Sequence, residues 1–270
     1  MTKNEALFNY TLRLGDDSLI LGQRLAEWCG HGPILEEDIA ITNISLDLIG
    51  QATNLLNYAA LIENKDRNAD NIAFLRLEKE YCNILLVEQL NGDFGDTMMR
   101  QFLFDAFRKP LFEMLQFSKD KQLAAIAEKS LKETKYHLKH SSEWIIRLGD
   151  GTEESHQRVQ NSLTNLWRYT DELFFTDESD TLLSGLGIIP DFSKIKTIIP
   201  DYDPAETSGI KRGNAYQHTK TGFREDLGLT LRSNWEANFA RILTAYKIKF
   251  DFEPTVFAFP IKKRNQGVYS

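Results

Sequence analysis

Cysteine is scarce in this chain, which has only Cys29 and Cys82 among its 270 residues. Two cysteines cannot build a disulfide framework or a thiolate metal site, so we expect reduced thiols and a cytoplasmic protein. No apolar run reaches the roughly 18–20 residues that a membrane-spanning helix needs. The opening stretch MTKNEALFNY lacks the basic-then-apolar layout of a signal peptide. We therefore expect no membrane partner.

Positive charge is also in short supply. The formal net charge is −7 and the isoelectric point lies near 5.4. No stretch rich in lysine and arginine stands out from this acidic background, so we expect no nucleic-acid partner. Walker, dinucleotide-binding and Gly-x-Ser-x-Gly patterns are absent as well. The common sequence signatures of nucleotide-binding proteins and serine hydrolases are therefore missing.

Helix breakers are rare in the first part of the chain, where only Pro33 and Pro110 precede Pro190. Apolar residues recur there at the helical spacing of three and four, which predicts an all-α fold. Six helices are expected, the fourth kinked at Pro110 and the sixth capped by Thr152. Their predicted ranges are 17–28, 35–62, 71–89, 94–117, 121–148 and from 152 onward. The second to fifth of these would span roughly 30–40 Å at 1.5 Å per residue, which suits a helical bundle.

The C-terminal third is less regular. We predict a short helix at 181–186, extended structure at 188–203, a loop at 204–222 and one more helix at 226–246. This pattern predicts a bundle core at 1–176, an extension at 177–249 packed on the bundle, and an extended or disordered tail at 250–270.

Carboxylates stand on the predicted bundle helices in a pattern that resembles a di-iron or di-manganese centre. Such centres take one glutamate from each of two helices and a Glu-x-x-His pair from each of two others. The candidate positions here are Asp47, Glu80, Asn83, Asp105, Glu133, Tyr136 and His137. Asn83 and Tyr136 occupy the two places where histidine is required, and His137 lies one position too late. We therefore predict no catalytic residues, metal or bound cofactor in this chain.

Two other functions remain open at this point. The same carboxylates and His137 could serve an independent carboxylate-bridged di-metal oxygenase. Alternatively, the helical fold could be an acyl-CoA-binding module, although no cluster of arginine and lysine marks a phosphate site at a helix start. The aromatic residues Phe102, Phe104, Phe107 and Phe112 are expected to pack in the core.

Several long motifs resemble one known family. They are LGQRLAEWCGHGP from residue 21, LEEDIAITNISLDLIGQA from 35, LLVEQLNGDFGDTMMRQFLFDA from 85 and KETKYHLKHSSEWIIRLGDGTEES from 132. Together with LGDD at 14–17 they resemble the structural, non-catalytic C subunits of the multicomponent 1,2-phenylacetyl-CoA epoxidase. The resemblance covers about residues 10–175. It weakens near the end, where GFREDLG at 222–228 lacks the histidines usual in the family.

The resemblance implies a ferritin-like bundle and a non-catalytic role. Subunits of this kind stabilise a homologous catalytic subunit, which holds the di-iron centre and epoxidises the ring of phenylacetyl-CoA in aerobic phenylacetate catabolism. The complex also contains other small subunits and a reductase that uses NADPH, FAD and an iron–sulfur cluster. Aromatic and arginine residues are enriched at such interfaces, so we predict Arg24, Trp28, Phe94 and Arg100 as interface residues. Expressed alone, the chain is expected to be poorly soluble or to self-associate.

Overall fold

Four long helices dominate the computed structural model, which describes residues 1–196, 222–224 and 229–231. In chain order the helices of these residues are α1 (Lys3–Ala26), α2 (Leu35–Glu63), α3 (Ala69–Phe74), α4 (Leu85–Glu88), α5 (Phe94–Leu115), α6 (Lys121–Gly149), α7 (Glu153–Trp167), α8 (Glu178–Gly185) and α9 (Phe192–Lys196). Short 3₁₀ turns occur at Glu78–Glu80 and Asp171–Phe174, and two strands form at β1 (Gly222–Arg224) and β2 (Leu229–Leu231). The predicted all-α bundle is confirmed.

Side chains at the helix starts account for several of these boundaries. The hydroxyl of Thr152 accepts a hydrogen bond from the backbone N–H of Ser155 at the start of α7, which confirms the predicted cap. Asp93 and Asp120 cap α5 and α6 in the same way. Thr2 and Glu5 form a reciprocal capping box that begins α1.

The long helices pack as two pairs, α1 with α2 and α5 with α6, and α2 also contacts α6. Gly15 allows α1 and α2 to lie close together, because a Cβ added there would stand 2.7 Å from the Leu56 side chain. The predicted aromatic residues of α5 lie in the shared core: Phe102, Phe104, Phe107 and Phe112 are all buried. α5 runs as one helix through Pro110.

Two predicted helices are wrong in their bounds. The first begins at Lys3 rather than at residue 17, so α1 and not the third predicted helix completes the four-helix bundle. The third, predicted at 71–89, is instead a broken segment that contains α3, the 3₁₀ turn and α4. The physical reason is a set of contacts with Asp16 and Asp17 of α1. These contacts hold residues 76–84 out of a continuous α-helix.

The C-terminal predictions need two further corrections. Residues 192–196 form α9 instead of extended structure, since the Asp191 carboxylate accepts a hydrogen bond from the Ser193 N–H just after Pro190. β2 interrupts the helix predicted at 226–246, because Leu229–Leu231 pairs antiparallel with β1. Gly228 also disfavours helix in this stretch. The other residues of these predictions, including 250–270, lie outside the described residues.

The short helix predicted at 181–186 falls within α8 for most of its length. α8 packs on α1, where the Arg13 guanidinium lies 2.7 Å from the Asp180 carboxylate. The division of the chain at 176 and 249 stays a prediction. Over the part of the chain that the structure describes, no helix is both long enough and apolar enough to cross a membrane.

Candidate functional site

A band of polar side chains crosses the interior of the bundle between α1, α2, α5 and α6. Each of the four helices contributes to it. Its members are Asp17, Asp47, Gln51, Gln101, Asp105, Arg108, Glu133 and His137. The members hydrogen-bond to one another in four pairs, which we call the polar band.

His137 and Asp47 form the first pair, between α6 and α2. The Nε2 atom of His137 lies 3.0 Å from Oδ2 of Asp47. The imidazole is fully buried, whereas 40% of the Asp47 side chain is exposed. The Nδ1 atom of His137 has no hydrogen-bond partner among the described residues. A carboxylate accepts but does not donate, so this contact places the proton on Nε2.

Gln51 and Glu133 form the second pair across the same two helices. The Gln51 amide donates to the Glu133 carboxylate over 2.9 Å. A third contact between α2 and α6 lies further along, where His140 Nε2 is 2.8 Å from Glu37 Oε2. The contact between α2 and α6 is therefore fixed by polar pairs.

Asp105 of α5 is the most deeply buried carboxylate of the band. Its Oδ2 atom accepts a 2.6 Å hydrogen bond from the Gln101 amide, while its Oδ1 atom has no partner among the described residues. Burial raises the pKa of Asp105 to about 7, although nearby His137 and the Gln101 hydrogen bond oppose the shift. The group therefore titrates close to neutral pH.

Asp17 and Arg108 join α1 to α5. The Arg108 guanidinium donates to the Asp17 carboxylate over 3.0 Å and to the carbonyl of Leu14 over 3.1 Å. It also lies 4.8 Å from the centre of the Phe104 ring. Burial raises the pKa of Asp17 to about 6, even though Arg108 and the Ile84 N–H favour its charged form. This pair neutralises a carboxylate inside the bundle.

Sequence reasoning missed Asp17, Gln51, Gln101 and Arg108 as members of the band. The predicted helix 17–28 places Asp17 at a helix start, where an exposed carboxylate is common. The signal that could have found it is the capping box of Thr2 and Glu5, which extends the helix upstream and turns Asp17 into an interior residue.

Three predicted site residues lie away from the band. Glu80 is exposed in the 3₁₀ turn, where its carboxylate accepts a 2.6 Å hydrogen bond from the Leu77 N–H, so its predicted place on a long helix is wrong. The Asn83 amide donates to Glu88 over 2.9 Å. Tyr136 is 52% exposed. The structure thus brings together Asp47, Asp105, Glu133 and His137 and leaves the other three outside.

The four predicted interface residues lie together at one end of α1 and α5. The Trp28 indole donates to Thr97 over 3.0 Å, and its ring meets Phe94 edge to face. Arg24 donates to the Glu88 carbonyl. Arg100 is buried, and it donates to the Gln89 carbonyl and the Asn91 side chain. Because Arg100 offers no exposed surface, the interface prediction here rests on the other three residues.

The donor set does not match a paired-metal centre. Over residues 1–196, 222–224 and 229–231, no three His, Cys, Asp or Glu side chains lie close enough together to hold a metal ion. The carboxylates of the band face amides, an imidazole and a guanidinium instead of one another. Chemically, the arrangement joins helices and neutralises buried charge.

Comparison with known proteins places the chain in a family. Residues 1–200, which include all the described helices, match the family model described as phenylacetic acid catabolic protein. The chain belongs to this family. Among its curated relatives is the 1,2-phenylacetyl-CoA epoxidase subunit designated C, of Escherichia coli strain K12. The two sequences are 53% identical over 182 residues, which are 67% of this chain and 73% of the relative.

These matches confirm the resemblance found in the sequence. The phenylacetic acid catabolic family is ferritin-like, so the bundle is classified as ferritin-like. The residues matched by the family model include every member of the polar band. Family membership alone does not assign a role to the band.

Proposed function

We propose that this chain is the non-catalytic structural subunit of a di-iron monooxygenase complex that epoxidises the ring of phenylacetyl-CoA during phenylacetate catabolism. In this role it stabilises a homologous catalytic subunit, which holds the di-iron centre and receives electrons from NADPH through a reductase containing FAD and an iron–sulfur cluster. The other small subunits complete the assembly. The similarity to the E. coli epoxidase subunit supports this assignment.

The observation that carries the proposal is the pairing within the polar band. A di-iron site needs carboxylates and imidazole nitrogens whose lone pairs converge on one point. Here Asp47 binds His137, Gln51 binds Glu133, and Gln101 binds Asp105. Each of these potential ligands hydrogen-bonds through one atom to a neighbouring side chain, and Glu80 lies on the surface. These contacts favour a structural role for the band.

Metal analysis of a reconstituted pair tests the proposal. We would co-express this chain with a homologous catalytic subunit in iron-supplemented cells, purify the complex, separate the subunits and measure iron in each. The proposal expects co-purification with iron only in the catalytic subunit. About two irons per copy of this chain, with oxo-bridge absorption, would instead establish a di-metal oxygenase.

A variant of the band gives a second test. Glu133→Gln removes a carboxylate while keeping an oxygen that can accept from Gln51. If the band is structural, the complex should epoxidise phenylacetyl-CoA within about twofold of the wild-type rate. A loss of about a hundredfold, the scale seen when the surroundings of a metal site are disrupted, would contradict the proposal. Unchanged melting of the variant is the control.

A further inference from the structure

The outer side of α2 carries a continuous stripe of uncharged residues, which we call the neutral face. Its positions follow one another at intervals of three or four residues, so they lie in one row along the helix. They are Leu35, Ile39, Asn43, Leu46, Gly50, Thr53, Asn57 and Leu61. The four large apolar members are between 53% and 73% exposed. The neutral face therefore presents isolated leucines and an isoleucine to solvent over the whole helix.

The opposite side of α2 is apolar as well. Ile41, Ile44, Leu48 and Leu55 are all buried in the core. Between residues 39 and 62 the only charged residue is Asp47, which is bound to His137. A helix that is hydrophobic all round is ordinarily buried on every side, and residues 39–62 of α2 come close to that composition. The neutral face has the composition of a covered surface.

The dimensions of the face indicate what kind of molecule covers it. With 29 residues at 1.5 Å each, α2 is about 43 Å long, and a strip about 10 Å wide along it covers roughly 400 Å². A specific interface needs about 800 Å² from each partner. An occupant must therefore reach beyond one helix, as a second bundle does and a single short peptide does not.

The middle of the face is shaped for close approach. Nothing lies within 4 Å of the position that a Cβ at Gly50 would occupy, so the backbone of another helix can come near at this point. Asn43, Thr53 and Asn57 offer hydrogen bonds without the desolvation cost of a charge. Ile34, 51% exposed, extends the apolar surface beyond the first turn.

We propose that the neutral face of α2 is the docking surface for the homologous catalytic subunit, whose own helical bundle packs along it. This inference rests on the proposed function, because that function supplies the partner. It differs from the sequence-based prediction, which placed the interface at Arg24, Trp28, Phe94 and Arg100.

Matched lysine substitutions test the inference. Leu46→Lys places a charge in the centre of the neutral face, and Leu77→Lys places the same charge at an equally exposed leucine outside α2. We would measure the Kd of each full-length variant for the catalytic subunit. Leu46→Lys should weaken binding at least about tenfold, and Leu77→Lys should change it by less than about twofold. Both variants should melt like the wild type.

The outcomes separate the two proposals. If wild-type chain does not bind the catalytic subunit, the proposed function fails. If it binds and Leu46→Lys binds equally well, the docking surface is wrong while the function stands. If Leu46→Lys abolishes only the self-association of this chain, the face pairs two copies and the inference is overturned.

Cysteine labelling provides an independent measurement. In a background where Cys29→Ser and Cys82→Ser remove both natural thiols, Leu46→Cys should react rapidly with a maleimide in the isolated full chain. The catalytic subunit should slow the reaction at least about tenfold. Slow labelling in the isolated chain would mean that residues of the same copy or of a second copy of this chain cover the face, which would overturn the inference. Equal labelling with and without the catalytic subunit would overturn it too.

Discussion

α2 and α6 have the same length, 29 residues, and lie side by side, yet their outer faces differ completely. Both bury leucine and isoleucine on the inside. Outside, α6 exposes a charged residue at nearly every turn, namely Lys121, Glu128, Lys129, Lys132, Lys135, Lys139, Glu143 and Arg147. The neutral face of α2 exposes none.

The difference shows that the composition of the inner face and that of the outer face of a bundle helix depend on different surroundings. The inner faces are alike because both helices must exclude water from one core. The charges of α6 keep that helix hydrated, since removing a lysine from water is costly. The neutral face of α2 has no such barrier to burial. The composition of an outer face therefore indicates what surrounds that face, which the fold alone does not determine.

The largest expected effect concerns the inner faces. Leu48→Ala in α2 and Leu138→Ala in α6 remove buried side chains, and each should lower the free energy of unfolding by about 2–5 kcal/mol. Leu46→Ala on the neutral face should change it by less than about 0.5 kcal/mol. Urea denaturation of the full chain measures all three. A cost at Leu46 equal to that at Leu48 would break the comparison, because it would mean that the face is already packed.

The next effect concerns the buried charge behind the two helices. The raised pKa of Asp105 means that the folded state holds a proton that the unfolded state releases. Its contribution to stability is present at low pH and is lost as pH rises toward about 7. Asp105→Asn should therefore stabilise the chain by roughly 1–3 kcal/mol at pH 8 and by less at pH 5. Urea unfolding at both pH values measures the change.

The exposed carboxylate of Glu128 on α6 is the control for this pH dependence. Glu128→Gln should alter stability little at either pH. A gain from Asp105→Asn that stays the same at pH 5 and pH 8 would show that proton binding at Asp105 does not govern stability.

A smaller effect tests the polar contact between α2 and α6. A double-mutant cycle with Asp47→Ala and His137→Ala should give a coupling energy of about 1 kcal/mol, because the two side chains are in direct contact. The cycle of Asp47→Ala with Lys135→Ala serves as control and should give none. Absence of coupling between Asp47 and His137 would remove the polar band as the link between the helices.

The smallest effect concerns Gly50. A Cβ at this position meets nothing within 4 Å, so Gly50→Ala should raise the free energy of unfolding of the isolated chain by about 0.5–1 kcal/mol. Lys135→Ala on α6 should leave it nearly unchanged, since lysine and alanine have similar helix propensities. A loss of stability with Gly50→Ala would show that other residues of the chain occupy the space.

Sequence reasoning predicted α2 and α6 to within a residue at each end. Apolar spacing defines their lengths, and Gly32-Pro33 before α2 and Gly149-Asp150-Gly151 after α6 mark their limits. Such local signals do not depend on the remainder of the fold.

The third predicted helix failed because its structure depends on distant residues. The Arg76 guanidinium and the Cys82 N–H both donate to the Asp16 carboxylate, and the Ile84 N–H donates to Asp17. The helical spacing of apolar residues in the range 71–89 gave no hint of these contacts. Tertiary hydrogen bonds to buried carboxylates overrode the local preference for helix.

The candidate site was found in part. Asp47, Asp105, Glu133 and His137 were found because they stand on predicted bundle helices in a pattern that resembles a di-iron or di-manganese centre. Their partners were harder to find, since amides and guanidinium groups are not metal ligands and a search for ligands passes over them. The hydrogen-bonded pairs that determine the chemistry of the band could be identified only from the structure.

The contacts of Asp16 and Asp17 also bear on how the chain opens. Residues 81–84 have no regular secondary structure, and amides in such segments ordinarily exchange their hydrogens with water quickly. Here the N–H groups of Cys82 and Ile84 each lie 2.9 Å from a buried carboxylate oxygen of α1. Their hydrogens can be released only when this segment separates from α1, so an irregular stretch shares the protection of the long helix beneath it.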